Sequence, residues 1–134
     1  MDKYDSLKLS NQLCFPLYAA SKEIVKKYRP YLDELDLTYT QYIAMMVMWE
    51  KEVVSIKDLG DRLYLDSGTL TPVLKSLETK GYIKRKRNDK DERVLDVTLT
   101  PDGKKLKDRA LKVPAAMLGC VSLEPEEAAE LYRI

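Results

Sequence analysis

The sequence has no histidine and only two cysteines, Cys14 and Cys120, among its 134 residues. The missing histidine excludes an imidazole base, and two widely separated cysteines do not match the ligand spacing of a zinc site. No apolar run approaches the ~18 residues of a membrane span, and the first ten residues lack the apolar core of a signal peptide. We therefore expect one cytoplasmic domain with free thiols, without a metal, a cofactor or a membrane partner.

Charge is nearly balanced over the whole chain but unevenly distributed. The formal net charge is only +1, yet residues 84–93, "KRKRNDKDER", contain six lysines and arginines. From residue 122 onward the chain is acidic. A local basic segment in a neutral chain predicts a docking face rather than a protein that binds anions everywhere.

Helical periodicity dominates the first half of the chain. Apolar residues recur every three or four positions at Leu13, Leu17, Ala20, Ile24 and Tyr28. Pro16 interrupts the start of this helix, where proline is tolerated only in a first turn or at a kink. Two capping-box patterns predict the starts of two further helices, at residues 38–41 ("TYTQ") and 55–58 ("SIKD"). The first of these helices is apolar almost all round, which predicts a central position.

A third helix and a change of period follow. Asp66 or Ser67 can cap this helix and Gly81 can end it. Its apolar stripe consists of Leu70, Val73, Leu74 and Leu77. "YIKRKR" and "RVLDVTLT" then predict two strands, the second with Leu95, Val97 and Leu99 inward. Thr100 caps another helix with Pro101 at its first position; Pro114 is expected to break it, and residues 115–134 to form a last helical segment.

A helix, a short turn, a second helix and a basic hairpin form the winged helix-turn-helix pattern. The second helix can enter a DNA major groove, while the hairpin reaches the backbone or the minor groove. The side chains outside the apolar stripe are Ser67, Thr69, Thr71, Pro72, Lys75 and Ser76. The basic residues expected at the hairpin are Arg85, Lys86 and Arg87. An ordinary solvated helix face is the alternative, and the adjacent basic hairpin favours DNA.

The hairpin also resembles a known family. "DERVLDVTLTPDG" resembles the wing of the multiple-antibiotic-resistance regulator (MarR) family, through Asp91, Arg93, Val97, Leu99 and Thr100. More narrowly, "NQLCFPLYAASKEI", "KYRPYLDELDLTYTQY" and "YLDSGTLTPVLK" resemble the organic hydroperoxide resistance repressors, over residues 10–120. The resemblance implies a mainly α fold with a small β-hairpin, as a single domain over residues 1–134. A winged lobe would span about 38–100, and dimerisation helices about 1–37 and 101–134.

The resemblance implies a function for the first cysteine. In that family a homodimer binds a pseudo-palindromic operator in double-stranded DNA, and organic hydroperoxide oxidises the residue that matches Cys14. Tyr28 and Tyr39 match two tyrosines that the partner subunit places beside this thiolate. Helix N-termini and hydroxyl donors stabilise thiolates in general. For a cysteine in an apolar stretch, simple burial is the alternative, and the surrounding motif favours a sensor.

The remaining expectations follow from the same resemblance. Lys75 and the hairpin bases would hold phosphates, while Arg93 enters a minor groove. A two-cysteine branch of the family resolves the oxidised sensor with a second cysteine, so Cys120 is either that resolving thiol or interface packing. Pro16 departs from the family pattern and is expected to push Phe15 out of helical geometry. Relatives continue the last helix further, and a shorter one predicts a weaker dimer.

Two other function classes remain as alternatives. A thiol peroxidase would need a base, and neither a histidine nor a Pro-x-x-x-Thr-x-x-Cys pattern is present, so we do not expect an enzyme. A MarR-type repressor could instead respond to a small phenolic or antibiotic-like ligand bound between the two lobes, which requires no cysteine. A cysteine-blocking reagent separates this reading from the redox sensor.

Overall fold

The computed structural model describes residues 2–134 and contains helices around a small antiparallel sheet. Two 3-10 turns, Asp5–Leu7 and Leu9–Asn11, come before the first helix. The elements that follow are α1 (Cys14–Asp33), α2 (Tyr39–Lys51), β1 (Val53–Ser55), α3 (Ile56–Leu63), α4 (Ser67–Thr79), β2 (Ile83–Arg87), β3 (Leu95–Leu99), α5 (Pro101–Ala110), α6 (Lys112–Leu118) and α7 (Pro125–Arg133). Within residues 2–134, no helix is both long and apolar enough to cross a membrane.

The start of α1 corrects the expected effect of Pro16. The helix begins at Cys14, so Pro16 is its third residue and Phe15 is already helical. The prediction that Phe15 leaves helical geometry is wrong. Amide groups in a first turn have no intrahelical acceptor, so a proline there removes no hydrogen bond. Cys14 therefore stays at the N-terminal end of a continuous 20-residue helix.

Side-chain caps fix where the helices of the winged lobe begin. Thr38 and Gln41 form the predicted capping box, with Gln41 N–H donating to Thr38 Oγ1 over 3.2 Å. Ser55 accepts from Asp58 N–H, but the Asp58 carboxylate instead accepts from Arg62, so this second cap is not reciprocal. Of the two candidate caps for α4, Asp66 is the one that accepts from a backbone N–H, that of Thr69.

The sheet has one strand more than the predicted hairpin. Its order is β1-β3-β2, with Val54 opposite Val97 and Ile83 opposite Leu99. Three residues in β1 are too few to show an alternating pattern, which is why the sequence did not reveal the strand. α2 is central as predicted, and the fully buried side chains around it include Met45, Met48, Leu59, Leu70, Leu74, Leu77 and Val97.

The C-terminal helices correct two expectations. The break after α5 lies at Leu111, and Pro114 is in the first turn of α6 rather than at the end of α5. The nitrogen of Pro114 cannot donate to the Ala110 carbonyl, and its ring crowds that carbonyl, so the helix is interrupted one turn earlier. Residues 115–134 do not form one helix, because α6 ends at Leu118 and α7 begins only at Pro125. α6 packs against α1, so the C-terminal region lies against the first helix.

Gly103→Ala tests the junction between the sheet and α5. A Cβ at Gly103 would lie 2.3 Å from the Tyr82 carbonyl oxygen and 2.6 Å from Leu99 Cδ1. Backbone cannot yield as a flexible side chain can, so we expect a loss of about 1–3 kcal/mol in the free energy of unfolding, measured with urea. Gly119→Ala is the matched control, because the nearest atom there is 3.7 Å away and the change should be nearly neutral.

Candidate functional site

The outer face of α4 carries most of the side chains expected to approach DNA. Ser67, Thr69, Thr71, Pro72 and Lys75 are exposed. Ser76 differs from the prediction, because it is half-buried and its Oγ accepts a 3.0 Å hydrogen bond from Gln41 Nε2 on α2. The exposed face therefore consists of small side chains and one lysine, which allow close approach to a groove.

The three basic residues predicted for the hairpin differ in their exposure to solvent. Lys86 and Arg87 on β2 are exposed. Arg85 is half-buried, donating from its guanidinium to Glu78 Oε1 over 3.2 Å and from its backbone N–H to Glu78 Oε2 over 2.8 Å. These hydrogen bonds hold the pKa of Glu78 below its ordinary value. The bond from the guanidinium contributes most, and the bond from the backbone N–H comes second. Arg85 thus fastens the wing to α4, whereas the sequence predicted a free phosphate contact.

The tip of the hairpin presents one strongly exposed arginine. The Arg93 side chain is 91% exposed. Its Nε and terminal nitrogen donate to the two oxygens of Asp91 over 3.1 and 3.2 Å, and its backbone N–H also donates to Asp91. The guanidinium lowers the pKa of Asp91, with the backbone bond adding to the effect. Asp91 therefore orients Arg93, and its own negative charge suits it to that task better than to a phosphate contact.

Three tyrosines form a cluster between α1 and α2. The Tyr28 and Tyr39 ring centroids are 5.0 Å apart, and Tyr42 lies 5.8 Å from Tyr28. Burial, reinforced by the Tyr28 phenol, raises the pKa of Tyr39 and of Tyr42. Both phenols therefore keep their protons at neutral pH and can donate hydrogen bonds. The sequence placed Tyr42 near Tyr28 and Tyr39 but did not assign it to the site, although its position three residues after Tyr39 on α2 is a usable signal.

Cys14 is exposed and lies far from these tyrosines within its own chain. It begins α1, about four helical turns before Tyr28, which corresponds to roughly 21 Å along the axis. The structure therefore does not bring Cys14 and Tyr28 together in one subunit. A contact between them requires a second copy of the chain.

The second cysteine packs beside a different tyrosine. Cys120 is half-buried just beyond α6, with its Sγ 3.9 Å from the Tyr31 hydroxyl. This hydrogen bond is the main cause of a raised pKa at Tyr31. Tyr31 is one turn after Tyr28 on α1. Cys120 thus adjoins the tyrosine cluster of its own subunit.

Both ends of the chain expose large apolar side chains. The set on α1 and just before it comprises Leu13, Phe15, Leu17, Tyr18, Ile24 and Val25. The set at the other end comprises Leu111, Leu118, Val121, Leu123, Leu131, Tyr132 and Ile134. So many exposed large apolar side chains on a small domain are typical of a protein–protein interface.

Open cavities flank the tyrosine cluster on two sides. One of about 410 Å³ is lined by Val25, Arg29, Leu37 and Tyr39, among others. Another of about 310 Å³ is lined by Tyr28, Met117 and Val121. Residues 2–134 contain no group of three or more cysteine, aspartate or glutamate side chains arranged to hold a metal ion.

Comparison with known proteins places this geometry in a family. The model of the family described as transcriptional regulator SarA/Rot matches residues 20–110. The chain is 48% identical over 130 residues to the organic hydroperoxide resistance transcriptional regulator of Bacillus subtilis, covering 97% of this chain and 88% of that one. It is also 48% identical over 123 residues to the HTH-type transcriptional regulator SarZ of Staphylococcus aureus, covering 92% and 83%.

A solved structure agrees with these relatives. Reduced AbfR bound to DNA, from Staphylococcus epidermidis, has a TM-score of 0.80 at 35% identity and covers 98% of this chain and 90% of that one. The match extends over the helices and the three-stranded sheet alike. The chain therefore belongs to the SarA/Rot family of MarR-like winged-helix transcriptional regulators, and within it is similar to the organic hydroperoxide resistance regulators.

Proposed function

We propose that this regulator is a homodimeric repressor that holds operator DNA while Cys14 is reduced and releases it when organic hydroperoxide oxidises Cys14. One observation supports this most: an exposed thiol lies at the start of α1, and a cluster of protonated tyrosines lies about four helical turns away, out of its reach within one subunit. The 48% identity to the Bacillus subtilis regulator supports the choice of oxidant.

The dimer follows from the exposed apolar ends of the chain. Two copies related by a twofold axis bury the α1 and α6–α7 surfaces against each other. In that arrangement the N-terminal end of one α1 can reach the tyrosine cluster of the other subunit. The cavities beside Tyr39 and Tyr28 offer room for it.

DNA binding rests on α4 and the wing. In a dimer the two α4 helices enter successive major grooves about 34 Å apart. Lys75, Lys86 and Arg87 hold phosphates, and Arg93 reaches into a minor groove.

Selecting duplexes from a random library with the reduced protein should enrich a pseudo-palindrome with half-sites one helical turn apart. A selected sequence without dyad symmetry would contradict the dimeric repressor.

The redox step uses the sulfur of Cys14. Its thiolate attacks the terminal oxygen of the hydroperoxide and the O–O bond breaks. The sulfur becomes a sulfenic acid, and the alkoxide takes a proton from solvent and leaves as an alcohol. This sulfenic acid then condenses with a second thiol to a disulfide and loses water. The modified sulfur no longer fits beside the partner's tyrosines, so the dimer shifts and the two α4 helices lose their spacing.

Tyr28→Phe and Tyr39→Phe should each slow peroxide-induced release while leaving the fold intact. Each change removes one hydroxyl donor to the thiolate but keeps the ring packing, so the midpoint of thermal unfolding should change little. The rate of operator release after a fixed hydroperoxide dose measures the effect. Tyr4→Phe is the control, because its exposed ring lies outside the cluster. Parental release rates in both cluster variants would make these tyrosines structural.

Cys120 is proposed as the resolving thiol, on the partner chain. It lies beside Tyr31, one turn from Tyr28, so a Cys14 seated against the partner's Tyr28 is near it. A disulfide needs Cα atoms within ~7 Å, and the non-helical residues 119–124 allow the remaining movement. AbfR has been solved both with a disulfide and, over-oxidised, on DNA, which favours a disulfide as the releasing form.

Hydroperoxide should therefore give a covalent dimer on a non-reducing gel, and Cys120→Ser should stay monomeric on that gel. Reductant should restore the parent to a monomer, because exchange with a thiol breaks the bond. A treated parent that stays monomeric while releasing DNA would mean that a small thiol caps Cys14 and that Cys120 is packing.

A small-ligand repressor is the second candidate, favoured by the cavity of about 410 Å³ beside Tyr39. This volume lies within the usual range for small-molecule sites. A phenolic compound that releases operator from protein with blocked cysteines would support this second function, whereas hydroperoxide should lose its effect on the same blocked protein.

A further inference from the structure

We infer that Gln41 is a positioning residue that carries the state of the redox site to the recognition helix α4; this rests on the proposed function. Gln41 is in the first turn of α2, two residues after Tyr39, and only 7% exposed. Gln41 and Thr100 are the buried polar side chains among residues 2–134. A buried amide is retained only where its hydrogen bonds are made.

The Gln41 amide joins three parts of the molecule. Its Oε1 accepts from Thr38 N–H over 3.1 Å and from Lys80 Nζ over 3.2 Å. Its Nε2 donates to Ser76 Oγ over 3.0 Å. These bonds use both lone pairs of the amide oxygen and one N–H of the amide nitrogen. If the amide were flipped, its nitrogen would face the N–H of Thr38 and the ammonium of Lys80, which are both donors. The amide is therefore held in one orientation.

These bonds link the sensor end of α2 to the DNA-facing helix. Thr38 caps α2 immediately before Tyr39, the tyrosine expected to contact the partner's Cys14. Ser76 follows Lys75 directly on α4, and Lys80 just beyond α4 also bonds the Asp36 carbonyl in the loop before α2. A displacement of Tyr39 moves the capping box as a unit, and the amide draws the C-terminal half of α4 with it. Buried hydrogen-bond networks resist intermediate positions, since a half-made network is costly.

The test compares two substitutions to alanine that each remove a side-chain hydroxyl from α4. Ser76→Ala removes the bond from α2 to α4, and alanine is well tolerated in helices. Thr79→Ala is the matched control, because the Thr79 hydroxyl donates to the Lys75 carbonyl within α4. Gln41→Met keeps the side-chain length and removes the amide. The readout is the operator Kd of protein whose Cys14 has been oxidised, with thiol titration to show that oxidation is complete.

Breaking the link should make oxidised protein bind operator more tightly, because α4 is no longer drawn away. We expect oxidised Ser76→Ala and Gln41→Met each to bind about fivefold more tightly than the oxidised parent, the effect of one hydrogen bond. The double variant should gain nothing further, and Thr79→Ala should match the parent. Loss of a direct DNA contact or of fold support would instead weaken binding.

Oxidised Ser76→Ala with unchanged or weaker operator binding overturns the inference, even where Gln41→Met fails to fold. If the parent releases its operator on oxidation and oxidised Ser76→Ala has the same operator Kd as the oxidised parent, only the role of Gln41 is removed. A parent that keeps its operator after Cys14 oxidation removes the proposed function, and this inference with it.

Discussion

A Cys14→Ser protein is expected to bind operator like the parent and to keep it at hydroperoxide concentrations that release the parent completely. Serine has nearly the size of cysteine, and Cys14 is exposed, so the change costs little packing. A hydroxyl cannot follow the sulfur oxidation ladder, so no sulfenic acid forms. Fluorescence anisotropy of labelled operator, read before and after hydroperoxide, measures the expected loss of the whole response.

Cys120→Ser is the natural comparison for that experiment. Both variants replace one of the two thiols, so a general effect of thiol removal would appear in both. Cys120→Ser keeps the sensor and should still lose its thiol at Cys14 on treatment, without forming the covalent dimer. Release of operator by treated Cys14→Ser at the parental dose would show that Cys14 is not the sensor.

Arg93→Ala is expected to weaken operator binding by about 1–3 kcal/mol, or roughly five- to 150-fold in Kd, the scale of one good groove contact. The guanidinium is strongly exposed at the tip of the wing, and Asp91 holds it ready. Losing it should also make the dependence of affinity on salt shallower, because one fewer cation displaces counterions. Titrations at several salt concentrations give both quantities.

Lys104→Ala is the control for lost charge, since that lysine pairs with Glu52 and lies on α5, outside α4 and the wing. Its operator affinity should stay close to the parental value. Parental affinity in Arg93→Ala would remove Arg93 from the DNA interface and leave the wing without its expected groove contact.

Local chemistry explains why much of the fold was predictable from sequence. A capping box needs only two residues three positions apart, so Thr38 and Gln41 predicted the start of α2 correctly. Asp66 did the same for α4. The apolar stripe of α4 depends on helical period alone, and Leu70, Leu74 and Leu77 are buried as predicted. Proline effects were less predictable, because they depend on where the helix begins: Pro16 lies in a first turn and costs no hydrogen bond, whereas Pro114 interrupts the helix one turn earlier.

Features that depend on tertiary partners were not visible in the sequence. Ser76 and Arg85 belong to patterns that face DNA, yet Gln41 on α2 holds Ser76, and Glu78 on α4 holds Arg85. β1 is too short to carry a periodic signal and exists because β3 offers it an edge. The assignments of Cys14, Tyr28, Tyr39 and Cys120 came from a family motif, and they remain predictions because the proposed sensor combines residues of two subunits.

The most direct test of the redox mechanism follows one sample of reduced dimer on its selected operator through stepwise addition of an organic hydroperoxide. Bound operator and remaining Cys14 thiol are measured at each step, and a thiol reductant is added at the end. The mechanism predicts that operator release parallels the loss of the Cys14 thiol and that the reductant restores binding. Operator that stays bound after the Cys14 thiol has been consumed would contradict it.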